Sequence, residues 1–391
     1  MTEEGRAPKR LLLDTNLRIV FGITLVAISG VSNITPAFPK IVRELQITPQ
    51  AVGLLITVFT FPGVLLTPVL GILADQIGRK KILIPSLLLF GIAGGACALA
   101  RDFHILLILR FIQGIGAAPL GALNVTIIGD LYSGKERAAA MGYNASVLNI
   151  GTASYPAIGG ALAVIAWYYP FLISLIAFPV GGFVLFSLKN PEPKERPHLG
   201  EYLSGVWQSI KRREVIGLFL ASIVTFTILF GTYLTCLPLL LGDSFGASAL
   251  IIGLLMSVSS ISGAVTASQL GKLARTFSEG TLIKSAFVLY ALTLTLIPFV
   301  PALWFFLIPS ILFGAAQGMN LPSIQTRLSG LAPINHRAAF MSINGMVLRL
   351  GQTLGPLTMG LAMALYGMNG AFFTGAGLTI FMFVLAVILI R

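Results

Sequence analysis

The chain has 391 residues, 56% of them hydrophobic and only 10% charged, and a mean hydropathy of +0.90. A water-soluble domain carries about 25% charged residues, so the composition excludes an ordinary globular protein and points to a chain dissolved in lipid. The net charge of +12 would suit nucleic acid, but the positions of the basic residues assign it to membrane topology instead.

About 20 apolar residues cross a bilayer as one helix. Six such runs lie at roughly 17–38, 51–74, 82–100, 104–130, 138–162 and 168–188. Six more lie at roughly 215–240, 249–270, 282–300, 303–325, 338–365 and 370–390. The predicted fold is an all-α membrane protein of twelve transmembrane helices. Gly and Pro inside the runs are tolerated because neighbouring helices satisfy the freed backbone. An even number of spans puts both termini on one side. With that side cytoplasmic, 21 of the 26 Lys and Arg lie inside, Lys40, Arg43 and Arg101 lie outside, and Arg110 and Arg349 lie within helices. The positive-inside bias therefore predicts a multi-pass protein of the cytoplasmic (inner) membrane with both ends in the cytoplasm. Anionic lipid is the expected neighbour, and nucleic acid is not an expected partner. The first run is too long for a cleavable signal peptide, and no small-residue cleavage pattern follows it.

The chain also repeats itself. Shifted by 200 residues, Gly53, Leu54 and Leu55 fall on Gly253, Leu254 and Leu255, and Gly63 falls on Gly263. Across the fifth and eleventh runs, Arg137 pairs with Arg337, Met141 with Met341, Asn144 with Asn344, Gly151 with Gly351, Pro156 with Pro356 and Gly160 with Gly360. One register held over two separate helix pairs predicts two parallel six-helix halves, residues 1–188 and 214–391. Residues 189–213, charged and holding Pro191, Pro193 and Pro197, read as a cytoplasmic linker. Such a pair, with a site at the midplane between halves, suits alternating access by rocking.

Three stretches carry a family likeness. Gly71-Ile-Leu-Ala-Asp75-Gln-Ile-Gly78-Arg79-Lys80-Lys81 resembles the signature loop of the major facilitator superfamily. Gly71 would allow close helix approach, Gly78 a tight turn, and Asp75 could face a helix N-terminus. Arg110-Phe-Ile-Gln113-Gly114-Ile-Gly116 resembles the family's second motif. Gly142, Gly151 and Tyr155-Pro156-Ala-Ile-Gly159-Gly160 are similar to the antiporter motif of its drug and metabolite exporters, with Tyr155 where those place a glycine. The resemblance implies the twelve-helix drug:proton antiporter branch. It also implies that Asp75 and Arg79 latch the two halves on the cytoplasmic side, with Asp130 as the arginine's partner; a topology anchor alone is the alternative. Small residues at Gly151, Pro156, Gly159 and Gly160 would pack closely near the outer closure. In the second half Arg275 stands in the register of Asp75, so the matching latch looks degenerate.

An ionisable residue inside a span marks function by default. Arg349 lies about eleven residues into its helix, roughly 16 Å deep, and aligns with Asn149 in the repeat. It is expected to face the central cavity, the alternative being bonds to neighbouring carbonyls. Arg110 is expected to have a cavity or coupling role. All fourteen acids lie at helix ends or in loops. The position near the first span's paired prolines, where such exporters carry a carboxylate, holds Ser32. A cavity with two arginines and no acid attracts anions. The other polar residues expected to line it are Asn33, Gln113, Asn124, Tyr143, Asn144, Tyr233, Gln317, Asn320, Asn344 and Gln352. Trp167, Tyr168 and Tyr169 read as an interfacial belt.

The expected function is secondary transport by alternating access, exporting small organic, anionic or amphiphilic molecules in antiport with protons or in exchange. The alternatives are proton-driven efflux of cationic or neutral drugs, and a lipid flippase or receptor on the same fold. No cofactor, metal or enzymatic constellation is expected: His104, His198 and His336 are scattered, Cys97 and Cys236 are isolated in apolar runs, and no phosphate-binding loop occurs. One chain holds both halves, so a monomer is expected.

Overall fold

The computed structural model describes residues 11–189, 211–331 and 337–390, and among them every regular element is helical. Most of the expected linker (190–210), together with Arg6, Lys9, Arg10, His198, His336 and Arg391, lies outside the described residues.

The first span breaks in two. Helix α1 runs Thr15–Ser29, opened by Asp14, whose carboxylate accepts the Asn16 and Leu17 amides. After a turn and a short tight helix at Thr35–Ala37, it resumes at Phe38–Glu44. Pro36 and Pro39 lack the amide hydrogens that a continuous helix needs here. Then follow α2 (Pro49–Ile77), α3 (Arg79–Cys97), α4 (Phe103–Leu131), α5 (Gly134–Ile165) and α6 (Tyr169–Ser187).

The second set begins with α7 (Arg213–Ser244), then α8 (Ala249–Ser268), α9 (Glu279–Phe299) and α10 (Leu303–Leu331). The helix Arg337–Leu389 reverses at Gly367, whose φ of 71° suits glycine, and so forms α11 (337–366) and α12 (368–389). The middle of α7, Leu229–Cys236, is a π-helical turn. By the 200-residue register it falls on 29–36, the stretch where α1 breaks, so both first helices lose α geometry at the same level.

The Lys189 amide at the end of α6 donates to Asn16 at the start of α1. Gly217 near the start of α7 meets Leu389 and Ile390 at the end of α12. The described chain therefore begins and ends on one side, the termini face.

At the far face the halves are sealed. The outer part of α5 lies on the start of α8: a Cβ on Gly160 would overlap the Ala249 carbonyl, and one on Gly253 the Pro156 carbonyl. A Cβ on Gly53 of α2 would sit 3.0 Å from Pro356 of α11, and one on Gly242 of α7 2.5 Å from Pro39. Toward the termini face the packing opens. Between Gly134 and Ile150 only Ala140 of α5 is buried, and no residue of α8 is buried beyond Ser259. A wedge-shaped cavity therefore opens between the halves on the termini face. Gly71 was expected to allow close helix approach; in this state a Cβ there would meet nothing within 4 Å.

Candidate functional site

Arg349 stands near the apex of this wedge. It is half-buried on α11, and NH1 donates to Gln352 Oε1 one turn on, at 3.2 Å. Across the seam it lies against Gly63 of α2, where an added Cβ would be 3.1 Å from its Cδ and 3.2 Å from its Nε. No carboxylate forms an ion pair with it among the described residues. A guanidinium has five donors, so Gln352 leaves most of them for a ligand or water. Just above, Thr353 Oγ1 lies 2.9 Å from Thr60 Oγ1 of α2, and the Thr57 hydroxyl donates to the Thr353 carbonyl at 3.2 Å. Asn149, the repeat partner of Arg349, is exposed on α5, so the pair shares a register but not an environment.

Arg110 lies elsewhere. Its side chain is 1% exposed and occupied in three directions. Nε donates to the Leu55 carbonyl of α2 at 3.1 Å, NH1 to Gln113 at 2.6 Å, and NH2 to the Gly30 carbonyl at 2.7 Å. The guanidinium also lies over the Phe59 ring, 4.2 Å from its centroid. Gln113 passes the contact on, donating to Ser174 of α6 at 2.9 Å. The cavity role expected of Arg110 and Gln113 is therefore corrected: both sit inside the first half, and Arg110 takes up a carbonyl at the break in α1. Asn33 is also fully packed, donating to the Pro170 carbonyl at 2.7 Å, and its own carbonyl is where a Cβ on Gly159 would fall. Gly151 lies against Ile28 and Leu25 of α1, and the Tyr155 hydroxyl donates to the Leu25 carbonyl at 3.1 Å.

One amide–hydroxyl contact recurs between the halves, joining α4 to α1 in the first and α10 to α7 in the second. Asn124 of α4 donates to Thr24 of α1, which donates to Asn144 of α5 at 2.6 Å. In the second half Asn320 of α10 donates to Thr225 of α7 at 2.6 Å. Asn344 donates to Gln325 at 3.1 Å. Tyr143 and Gln317 are half-buried. Tyr233 is buried and stacks on Phe313, centroids 4.3 Å apart, so it belongs to the packing of the second half. The threonines of these contacts, Thr24 and Thr225, like Thr60 and Thr353 at the seam, escaped the sequence reading. Their signal was weak, since threonine in an apolar helix usually bonds its own backbone.

At the termini face, Gly78 (φ 104°) turns the chain from α2 into α3. Arg79 there donates to Asp75 at 3.2 Å and to the Thr126 carbonyl at 3.1 Å, and it pairs with Asp130 of α4. These bonds all stay inside the first half. In the second half Arg327 of α10 pairs with Glu214 at the start of α7 and reaches Glu279 at the start of α9, 3.9 Å away. Glu279 stands in the register of Arg79. The second half thus carries a charged cluster of its own at this level, opposite in sign at the one shared register position, while Arg275 in the register of Asp75 forms no ion pair among the described residues.

The comparisons with known proteins agree with this architecture. The family model described as Major Facilitator Superfamily matches residues 20–286 and 230–391. Multidrug resistance protein 1 of Bacillus subtilis is 26% identical over 351 residues, 89% of this chain and 90% of that protein. The bacillibactin exporter of the same organism is 29% identical over 227 residues, 55% of this chain and 56% of that protein. Among solved structures, the nucleoside transporter NupG superposes with a TM-score of 0.79 at 14% identity, covering 97% of this chain and 99% of that one. With twelve helices in two related halves around a wedge-shaped cavity, and a family match along nearly its whole length, the chain belongs to the Major Facilitator Superfamily and is a secondary transporter.

Proposed function

We propose that this transporter exports small organic molecules bearing a negative charge, loading them from the cytoplasm into the wedge below Arg349. The observation that carries the reading is a guanidinium deep in α11 with, among the described residues, only Gln352 as hydrogen-bond partner and no carboxylate paired with it. In a site of low dielectric such a charge favours an anion and opposes a cation by several kcal/mol, of the order of Coulomb energies at an effective dielectric near 20. The abundance of Lys and Arg on the termini side supports reading that face as cytoplasmic. Residues 189–213 would join the two moving halves, and one chain would suffice for transport. The name of one Bacillus relative, the bacillibactin exporter, supports export as the direction.

Coupling follows from the same residues. Every described acid stands at a helix end or in a loop, so a proton-antiport cycle has no carboxylate inside the membrane to carry its proton. Exchange of one anion for another fits this residue set better. Efflux of neutral or cationic drugs is the second reading, and the likeness to a multidrug resistance protein speaks for it.

A thermal-shift panel of lipophilic anions and cations on wild type and Arg349→Ala separates the two. Stabilisation by anions that disappears in the variant supports the anion reading. Stabilisation by cations alone, equal in both proteins, overturns it.

A further inference from the structure

The seam directly above Arg349 is held by hydroxyls. Thr60 of α2 is fully buried and Thr353 of α11 nearly so, and their Oγ1 atoms are 2.9 Å apart across the two halves. Thr57 adds a bond from its hydroxyl to the Thr353 carbonyl. Each member of the hydroxyl pair also has a carbonyl of its own helix within reach. Thr60 Oγ1 lies 3.0 Å from the Ile56 carbonyl, and Thr353 Oγ1 lies 2.9 Å from the Arg349 carbonyl.

A hydroxyl has one proton and two lone pairs. While the halves touch, one hydroxyl donates to the other and the second keeps its carbonyl. When they part, both protons can return to the carbonyls at i−4, so neither buried hydroxyl loses its donor bond. An unmade bond would otherwise cost far more than a made one contributes. The pair can therefore break and re-form with little penalty in either state, as a reversible closure must. A permanent weld would leave groups unsatisfied on opening.

From this we infer that Thr60 and Thr353 are positioning residues of the transport cycle: a hydroxyl pair that holds the far side closed and ties that closure to the helix turn presenting Arg349. The tie is direct, because Thr353 bonds the backbone of Arg349 itself, and Gly63, one turn below Thr60 on α2, touches the Arg349 side chain. The inference rests on the seam alone and stands whether the substrate proves to be an anion or a cation.

The test measures closure without any ligand. Spin labels on Thr48→Cys and Ala302→Cys, two exposed positions in far-face loops of opposite halves, report the distance across the seam. The two native cysteines are buried. Thr60→Val and Thr353→Val keep the shape of the side chain and remove the hydroxyl. Each is expected to raise the population open at the far face about twofold, because opening exchanges the bond across the seam for a less favourable bond back to the helix's own carbonyl and only that difference is lost. The double variant should match either single, because both remove the same bond, and Thr60→Ser should restore closure. Two single effects that add in the double variant, or distance distributions unchanged from wild type, overturn the inference.

Discussion

Arg110 and Arg349 are both arginines on apolar helices, neither paired with an acid among the described residues, and their surroundings differ completely. Arg110 is enclosed by α1, α2, α4 and α6 and donates to the carbonyls of Leu55 and Gly30 and to Gln113. Arg349 lies at a seam between halves, bonded to Gln352 and resting on a glycine. Burial of a cation is tolerated where the fold supplies acceptors in good geometry. Where acceptors are missing at the edge of a cavity, the charge remains available to something that arrives. The first arginine is thus part of the scaffold, and the second has the environment of a ligand contact.

The largest expected effect follows from the scaffold side of that contrast. Arg110→Ala removes the buried donor shared by the Leu55 and Gly30 carbonyls and Gln113 and opens a void over Phe59, at a cost of about 3 kcal/mol or more. Detergent-purified variant should melt well below wild type, or fail to accumulate. Arg110→Lys should rescue little, because an ammonium cannot reach three acceptors arranged for a planar fork. A lysine variant as stable as wild type would show that charge alone, not geometry, holds α1 at its break.

Arg349→Ala should do the opposite. Stability should stay within about 1 kcal/mol of wild type, since no scaffold bond beyond Gln352 is lost. Affinity for a transported anion should fall about 10- to 100-fold, the usual weight of a charge-assisted hydrogen bond in a sheltered site. Titration of both proteins with the best anion from the thermal-shift panel decides it. If melting falls as far as in Arg110→Ala, the two arginines are alike after all.

How much of this was legible before the structure can be argued from the same residues. The twelve spans, the internal register and the charged cluster of Asp75, Arg79 and Asp130 were readable because length, repetition and charge are carried by the chain itself. The reversal at Gly367 fell in the gap left between the last two runs. Which face a polar residue occupies was not readable. A helix that is apolar all round has no polar stripe to separate lipid from neighbour, so Arg110, Gln113 and Asn33 looked as suitable for a cavity as Arg349 did. The Arg110 position became intelligible only once α1 was seen to break and free the Gly30 carbonyl. The cluster at Arg327 was missed for a related reason. Its partners Glu214 and Glu279 lie 113 and 48 positions away along the chain, and a search for the first motif's letters in the second half finds only Arg275.

A smaller effect probes how closely Arg349 is tuned. Gly63→Ala places a methyl 3.1 Å from Cδ and 3.2 Å from Nε of Arg349. The side chain is long and can shift, at the cost of a strained rotamer. Anion affinity should fall about threefold with the melting temperature unchanged. A large loss of stability instead would mean that the α2–α11 seam, rather than the guanidinium, takes up the strain.

The smallest effect belongs to a third arginine, and it completes the series. Arg43 is exposed at the far end of α1, and the charge facing it across the seam is Asp243 at the end of α7. The two positions are related by the same 200-residue register, so the repeat brings opposite charges together where the halves meet. Exposed charges in water contribute little, and salt screens them over about 8 Å at physiological ionic strength. Arg43→Ala should therefore change the far-face opening measured between labels at Thr48→Cys and Ala302→Cys by less than about threefold at low salt, and not at all in 1 M salt. Restored closure in the charge swap Arg43→Asp with Asp243→Arg would show that the pair itself is responsible. An effect that survives high salt would mean that Arg43 acts through its bond to the Pro39 carbonyl. In that case even the most exposed of the three arginines would be working as scaffold, and exposure alone would not separate the roles that Arg110 and Arg349 divide between them.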